Sequence, residues 1–140
     1  MRSSINSNPW SGILPSERTE VRILYDAQNL YLAIYNYDSD VKNVVANILT
    51  RDISLFADDS IRIYFDPVLS RRNAYVFEIN SLGARAEGVI QNNAVHLFEW
   101  DAIWRGIAMR VEGGWTAELA VVTHFEKLTP HSSWPSQARP

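Results

Sequence analysis

Aromatic rings and polar side chains that could bind a sugar occur close together in two stretches of the sequence. Phe56 lies just before Asp58 and Arg62, and Trp100 lies one helical turn's spacing before Trp104. A flat ring can pack on the C–H face of a pyranose, while carboxylate and guanidinium groups can bind its hydroxyls. These residue types therefore indicate equilibrium binding of a sugar, without turnover.

The same aromatics also have a structural interpretation. Large aromatic side chains usually fill or cap a core, and this interpretation is favoured for Trp100 and Trp104. Trp115 belongs to an alternating strand pattern and is predicted to be in the core. For Phe56 the two interpretations carry equal weight.

Acidic pairs raise the question of metal binding and of acid–base catalysis. Calcium takes about six to eight oxygen ligands, and Asp38 and Asp40 offer two carboxylates in one turn. The favoured alternative is a solvated turn in which these carboxylates cap the backbone. A glycosidase needs two carboxylates about 5 to 9.5 Å apart across a cleft, which no pair here indicates. We therefore predict that the chain is not an enzyme.

The histidines do not form a recognisable site. His96, His124 and His131 lack metal-ligand spacing and have no nucleophile motif beside them. Met109 and His124 are of the types that serve as axial ligands of haem b, but Met109 alternates with apolar residues and is predicted to be in the core. The sequence therefore predicts no definite cofactor, and calcium is the one ion retained as a candidate ligand.

The length and composition are typical of a single globular domain. The chain has 140 residues, 46% hydrophobic and 21% charged, with a net charge of -3 and no cysteine. Scattered Lys and Arg residues argue against a nucleic-acid partner. No apolar run approaches the about 20 residues of a membrane helix, so membrane insertion by this domain is not expected. We expect one domain over 1–140, with loops or tails at 1–16 and 129–140.

Strand patterns dominate the interior. Residues alternate between apolar and polar in several runs separated by turn residues, which is typical of antiparallel strands. The segment 41–48 fits either a helix or an irregular strand. The predicted hairpins join 21–25 with 30–35, 61–65 with 75–80, and 107–111 with 115–121. These elements predict an all-β, antiparallel β-sandwich.

The order of motifs between about 19 and 122 resembles the family 9 carbohydrate-binding module, in the version found at the front of larger bacterial secreted or outer-membrane proteins. The resemblance rests on Val21-Arg22-Ile23-Leu24-Tyr25-Asp26 with Leu30-Tyr31-Leu32, Arg51-Asp52, Asp59-Ser60 before a strand ending at Asp66-Pro67, Asn80 with Gly83, Trp100 and Trp104, and Gly114-Trp115 with Glu118.

The resemblance implies a jelly-roll-like sandwich that binds oligo- or polysaccharide in carbohydrate catabolism, attached to other domains in a secreted, periplasmic or cell-envelope protein. It places the family's aromatic platform at Phe56, a sugar-binding Glu at Arg62 and a sugar-binding Arg near Val76. These two replacements favour an alternative function, a structural or interaction domain of a larger cell-envelope protein that has lost the sugar site. The predicted ligand-binding residues are Phe56, Asp58, Arg62, Asn80, Trp100 and Trp104, and the predicted metal ligands are Asp38 and Asp40.

Overall fold

The computed structural model describes residues 16–93, 95–97 and 100–122. His124, His131 and nearly all of both predicted tails lie outside these residues. Within them the chain forms eight strands and one short 3-10 turn, Val41–Asn43, and contains no helix long and apolar enough to cross a membrane. The strands are β1 (Thr19–Tyr25), β2 (Asn29–Tyr37), β3 (Ser60–Phe65), β4 (Ala74–Asn80), β5 (Arg85–Gln91), β6 (Val95–Leu97), β7 (Trp104–Val111) and β8 (Gly114–Val122).

Two antiparallel sheets pack face to face, which confirms the predicted all-β sandwich. The first sheet has the strand order β1-β2-β8-β7, and the second has the order β3-β4-β5-β6. All three predicted hairpin pairings are present, because β1 pairs with β2, β3 with β4, and β7 with β8. The segment 41–48, whose prediction stayed open, contains the 3-10 turn followed by an irregular stretch.

The core lies between the inner faces of the two sheets. Alternate residues of β2 and β8 point inward from the first sheet and meet alternate residues of β4 from the second. Trp115 is buried here, which confirms its prediction as a core residue. The largest buried contributors are Leu32, Ile34, Tyr75, Phe77, Ile79, Val89, Trp104, Trp115, Leu119 and Val121.

The prediction that Met109 is in the core is wrong. Its side chain is 60% exposed and lies opposite Thr116, on the outer face of the first sheet. The inner face of the edge strand β7 carries Trp104 and Ala108 instead. Alternation separates two faces of a strand, but it does not identify the buried face when both faces carry apolar residues.

Residues 44–59, which we call the covering segment, begin in the inter-sheet core at Val44 and reach the outer face of the second sheet at Leu55, whose backbone N–H donates to Glu78. The segment contains no strand, yet Leu55 within it is fully buried. Beneath it β4 is buried on both faces, since Val76 and Glu78 on the outer face are as inaccessible as Phe77 on the inner face. The covering segment therefore belongs to the packed interior, although it has the appearance of a loop.

Candidate functional site

The outer face of the second sheet brings together charged and aromatic side chains beside the covering segment. Arg62 pairs with Glu78 across β3 and β4, and Tyr64 pairs with Val76 one step further along. The Nε atom of Arg62 lies 2.7 Å from Oε1 of Glu78, and the two groups pair as charges without the alignment of a hydrogen bond. The second oxygen of Glu78 accepts the backbone N–H of Leu55 at 3.0 Å.

Asp58 holds the covering segment in place. Its carboxylate accepts the backbone N–H groups of Asn47 and Ile48 at 3.0 Å each and the side-chain amide of Asn80 at 2.9 Å. Desolvation raises the pKa of Asp58, but the hydrogen bonds from Ile48, Asn47 and Asn80 outweigh it, so this pKa lies below its ordinary value. The carboxylate therefore stabilises the conformation of the covering segment.

Asn80 has a similar structural role at the end of β4. Its amide nitrogen also donates to the carbonyl of Ile48 at 2.8 Å, and its oxygen accepts the backbone N–H groups of Leu82 and Ala84 at 3.1 and 2.9 Å. The side chain is fully buried. All of its hydrogen-bonding groups have protein partners, so its effect on a ligand would be exerted through the position of the covering segment.

Phe56 is the more exposed of the two aromatics at this site, the other being Tyr64 on β3. It lies between buried Leu55 and the hydrogen-bonded Asp58, and its side chain is 82% exposed. The guanidinium carbon of Arg62 lies 5.8 Å from the centre of its ring, within the range of a cation–π contact. The fixed residues on both sides of Phe56 place its ring on the surface beside Arg62.

Trp100, in the segment before β7, and Trp104, the first residue of β7, pack into the core. Trp104 is only 5% exposed, and its ring lies 5.2 Å from Phe77 in an edge-on arrangement. Trp100 lies 4.8 Å from Tyr75 and is partly buried against the core. The sequence grouped these two rings with Phe56, whereas the structure uses them as packing at the sandwich end.

Asp38 and Asp40 lie in the turn after β2. Asp38 accepts the backbone N–H of Asp40 at 2.7 Å, and Asp40 accepts the side-chain amide of Asn43 at 2.6 Å. Among the described residues, no group of three or more His, Cys, Asp or Glu side chains is arranged to hold a metal. Two carboxylates already engaged in a turn supply few of the about six to eight oxygens that calcium takes, so the solvated turn stays the favoured prediction and calcium the alternative.

Glu78 and Tyr64 belong to the site but were not among the predicted residues. Glu78 was visible as a charged residue inside an apolar strand run, directly opposite Arg62 in the predicted hairpin. Tyr64 was visible two residues after Arg62 and therefore on the same strand face. Neither signal separates a binding residue from ordinary sheet packing, because cross-strand charge pairs and exposed Tyr are common.

A groove of about 230 Å³ lies on the outer face of the first sheet, away from all of the predicted site residues. It runs over β1, β2 and β8, with Ala33 at its centre and Arg22 and Glu118 at its sides. The groove is shallow and carries no predicted aromatic platform. The exposed ring of Phe56 makes the second sheet the stronger candidate for a binding face.

Two solved structures share the fold at low sequence identity. A candidate carbohydrate-binding protein from Bacteroides uniformis is 11% identical, with a TM-score of 0.70 over 88% of this chain and 60% of that one. A family 9 carbohydrate-binding module from Caldicellulosiruptor kristjanssonii, solved with cellotriose, is 14% identical, with a TM-score of 0.55 over 79% of this chain and 51% of that one.

The described chain thus has the fold of carbohydrate-binding modules. It spans between half and three-fifths of the length of these two structures. No family model matches the sequence, and no curated protein matches it.

Proposed function

We propose that this chain is a non-catalytic carbohydrate-binding module, related to family 9, that binds an oligo- or polysaccharide on the outer face of its second sheet. The observation that carries this proposal is the ring of Phe56, which is exposed beside a guanidinium and held between two fixed residues. An exposed ring beside polar groups is suited to stacking on a pyranose while its hydroxyls are bound at the edge.

Each member of the site has a distinct role in the proposal. Phe56 stacks on the sugar, Arg62 binds its hydroxyls, and Tyr64 offers a further partly exposed edge on the same face. Asp58 and Asn80 fix the covering segment and so position the platform. A single exposed platform with few polar partners predicts weak binding, with a Kd of about 1 mM.

The test is calorimetric titration of the domain with cello-, xylo- and manno-oligosaccharides, with and without calcium. We expect saturable binding to at least one series and its loss in Phe56→Ala. Tyr25→Ala is the matched control, because this residue is an equally exposed aromatic on the other sheet. Binding that survives Phe56→Ala, or that disappears equally in Tyr25→Ala, would contradict the proposed site.

A second candidate function is a structural or interaction domain within a larger secreted or envelope protein. The observation that favours it is a set of exposed apolar side chains on the outer face of the first sheet, Leu24 on one edge strand and Ile107 and Met109 on the other. Single exposed apolar residues are normal, but neighbouring ones such as Ile107 and Met109 are typical of a contact surface. Absence of binding to every glycan, by a protein shown to be folded, would favour this candidate.

A further inference from the structure

The charged side chains beside Phe56 indicate which class of sugar the site would bind. Arg62 is the cation of the site, and its side chain remains 25% exposed. Its ionic partner Glu78 is fully buried and is held from the other side by the backbone of Leu55. Arg62 therefore reaches the surface with part of its side chain, while the balancing carboxylate lies beneath it in the protein.

Glu78 also restricts the orientation of that guanidinium. The carboxylate contacts the Nε atom of Arg62, and the ring of Phe56 lies against the guanidinium carbon. Two contacts on different parts of one planar group limit its rotation. An oriented guanidinium is suited to binding a planar carboxylate through two parallel N–H···O bonds, which are stronger than hydrogen bonds to neutral groups.

We propose that the site is selective for acidic sugars, with the carboxylate of a uronic acid residue bound by Arg62 while its pyranose ring stacks on Phe56. This inference rests on the proposed function and specifies its ligand class. Glu78 is a positioning residue, since it acts through Arg62 and is itself inaccessible. Arg62 contributes charge, and Phe56 contributes the sugar-binding surface.

The experiment compares ligands that differ only in charge. Trisaccharides of glucuronate, galacturonate and mannuronate are titrated beside their fully methyl-esterified forms by calorimetry. For at least one of these sugars, we expect the acid to bind about tenfold more tightly than its ester, as one charge-assisted contact allows. The ratio should shrink as salt is added, because the guanidinium is partly exposed.

Variants identify the source of that ratio. Arg62→Ala alone would strand the buried Glu78 and is expected to damage folding. The informative variant is therefore the double replacement R62Q/E78Q, which removes both charges and keeps a polar side chain at each position. Its ratio of acid to ester affinity should fall to about one. R22Q/E118Q likewise removes one charge of each sign, on the other sheet, and should leave the ratio unaltered. Thermal melting of each variant reports folding.

The outcomes separate this inference from the proposed function. Equal affinities for acid and ester in the unaltered protein, lost together in Phe56→Ala, would overturn acid selectivity and leave carbohydrate binding supported. A preference that persists in R62Q/E78Q would also overturn the inference, because its source would lie elsewhere. Failure of the folded protein to bind any acidic or neutral sugar would overturn both.

Discussion

Replacing Asn80 with Ala should be among the most destabilising changes at the candidate site. The substitution removes two acceptor contacts to backbone N–H groups and two donor contacts to the covering segment. The buried N–H of Ala84 is left without its acceptor, at a cost of about 2 kcal/mol. The other three bonds have more access to solvent and add about 0.5 kcal/mol each. We therefore expect the free energy of unfolding to fall by about 3 to 4 kcal/mol.

Urea denaturation followed by tryptophan fluorescence measures this effect. For a slope of about 2 kcal/mol per molar urea, the midpoint should fall by about 1.5 to 2 M. Asn47→Ala is the matched control, since it deletes the same side chain from an exposed position of the covering segment, and it should change stability by less than about 0.5 kcal/mol. A midpoint in Asn80→Ala within about 0.3 M of the unaltered protein would refute the structural role assigned to this amide.

Three further predictions concern other parts of the chain. A Cβ at Gly114 would lie 1.9 Å from a backbone oxygen of β2, so Gly114→Ala should lower the melting temperature by about 10 °C or more. Gly113→Ala is opposed only by a positive φ and should lower the melting temperature by about 3 to 8 °C. Equal losses of melting temperature in the two variants would contradict this prediction. Because the pKa of Asp58 is lowered in the folded state, its stabilising effect is complete above pH of about 4 and is lost as pH falls through the folded value. Urea midpoints between pH 6 and 2.5 should therefore decline less steeply in Asp58→Asn, and parallel curves would rule this out. The turn contacts of Asp38 and Asp40 predict equal melting temperatures in millimolar calcium and in chelator; a calcium-dependent rise that disappears when both are replaced with Asn would instead establish a metal site.

The sequence predicted the fold where burial follows alternation. In β2 and β8 the inward-facing residues are apolar and the outward-facing ones are largely polar, so the period of two was visible. Strand β5 was not predicted, because Arg85 and Glu87 lie on the same face as the inward residues of β4. The buried carboxylate of Glu87 is paired with Arg51 from the covering segment. A charged residue that is buried because it pairs with a residue far away in the sequence leaves no alternating pattern in its own strand.

The candidate site was predictable only in part. The family resemblance singled out Phe56 and Arg62, and the structure brings these two together. Asp58 and Asn80 are also of types that can bind sugar hydroxyls. Their hydrogen-bonding groups, however, bind backbone groups in contacts that form only when the chain folds. Trp104 has the residue type of a sugar platform, yet its burial depends on the inter-sheet distance, which local sequence does not specify.

The arrangement around Phe56 has a consequence for diversification of binding. The conformation of the covering segment is determined by Leu55 and Asp58, through hydrogen bonds and burial that do not involve the ring between them. Position 56 can therefore accept other side chains at little cost to folding. A library of substitutions there, combined with changes at Arg62 and Glu78 as a pair, would explore new ligands on an unchanged scaffold. The residues that fix the covering segment are thus distinct from Phe56 and Arg62, which would contact the ligand in the proposed site.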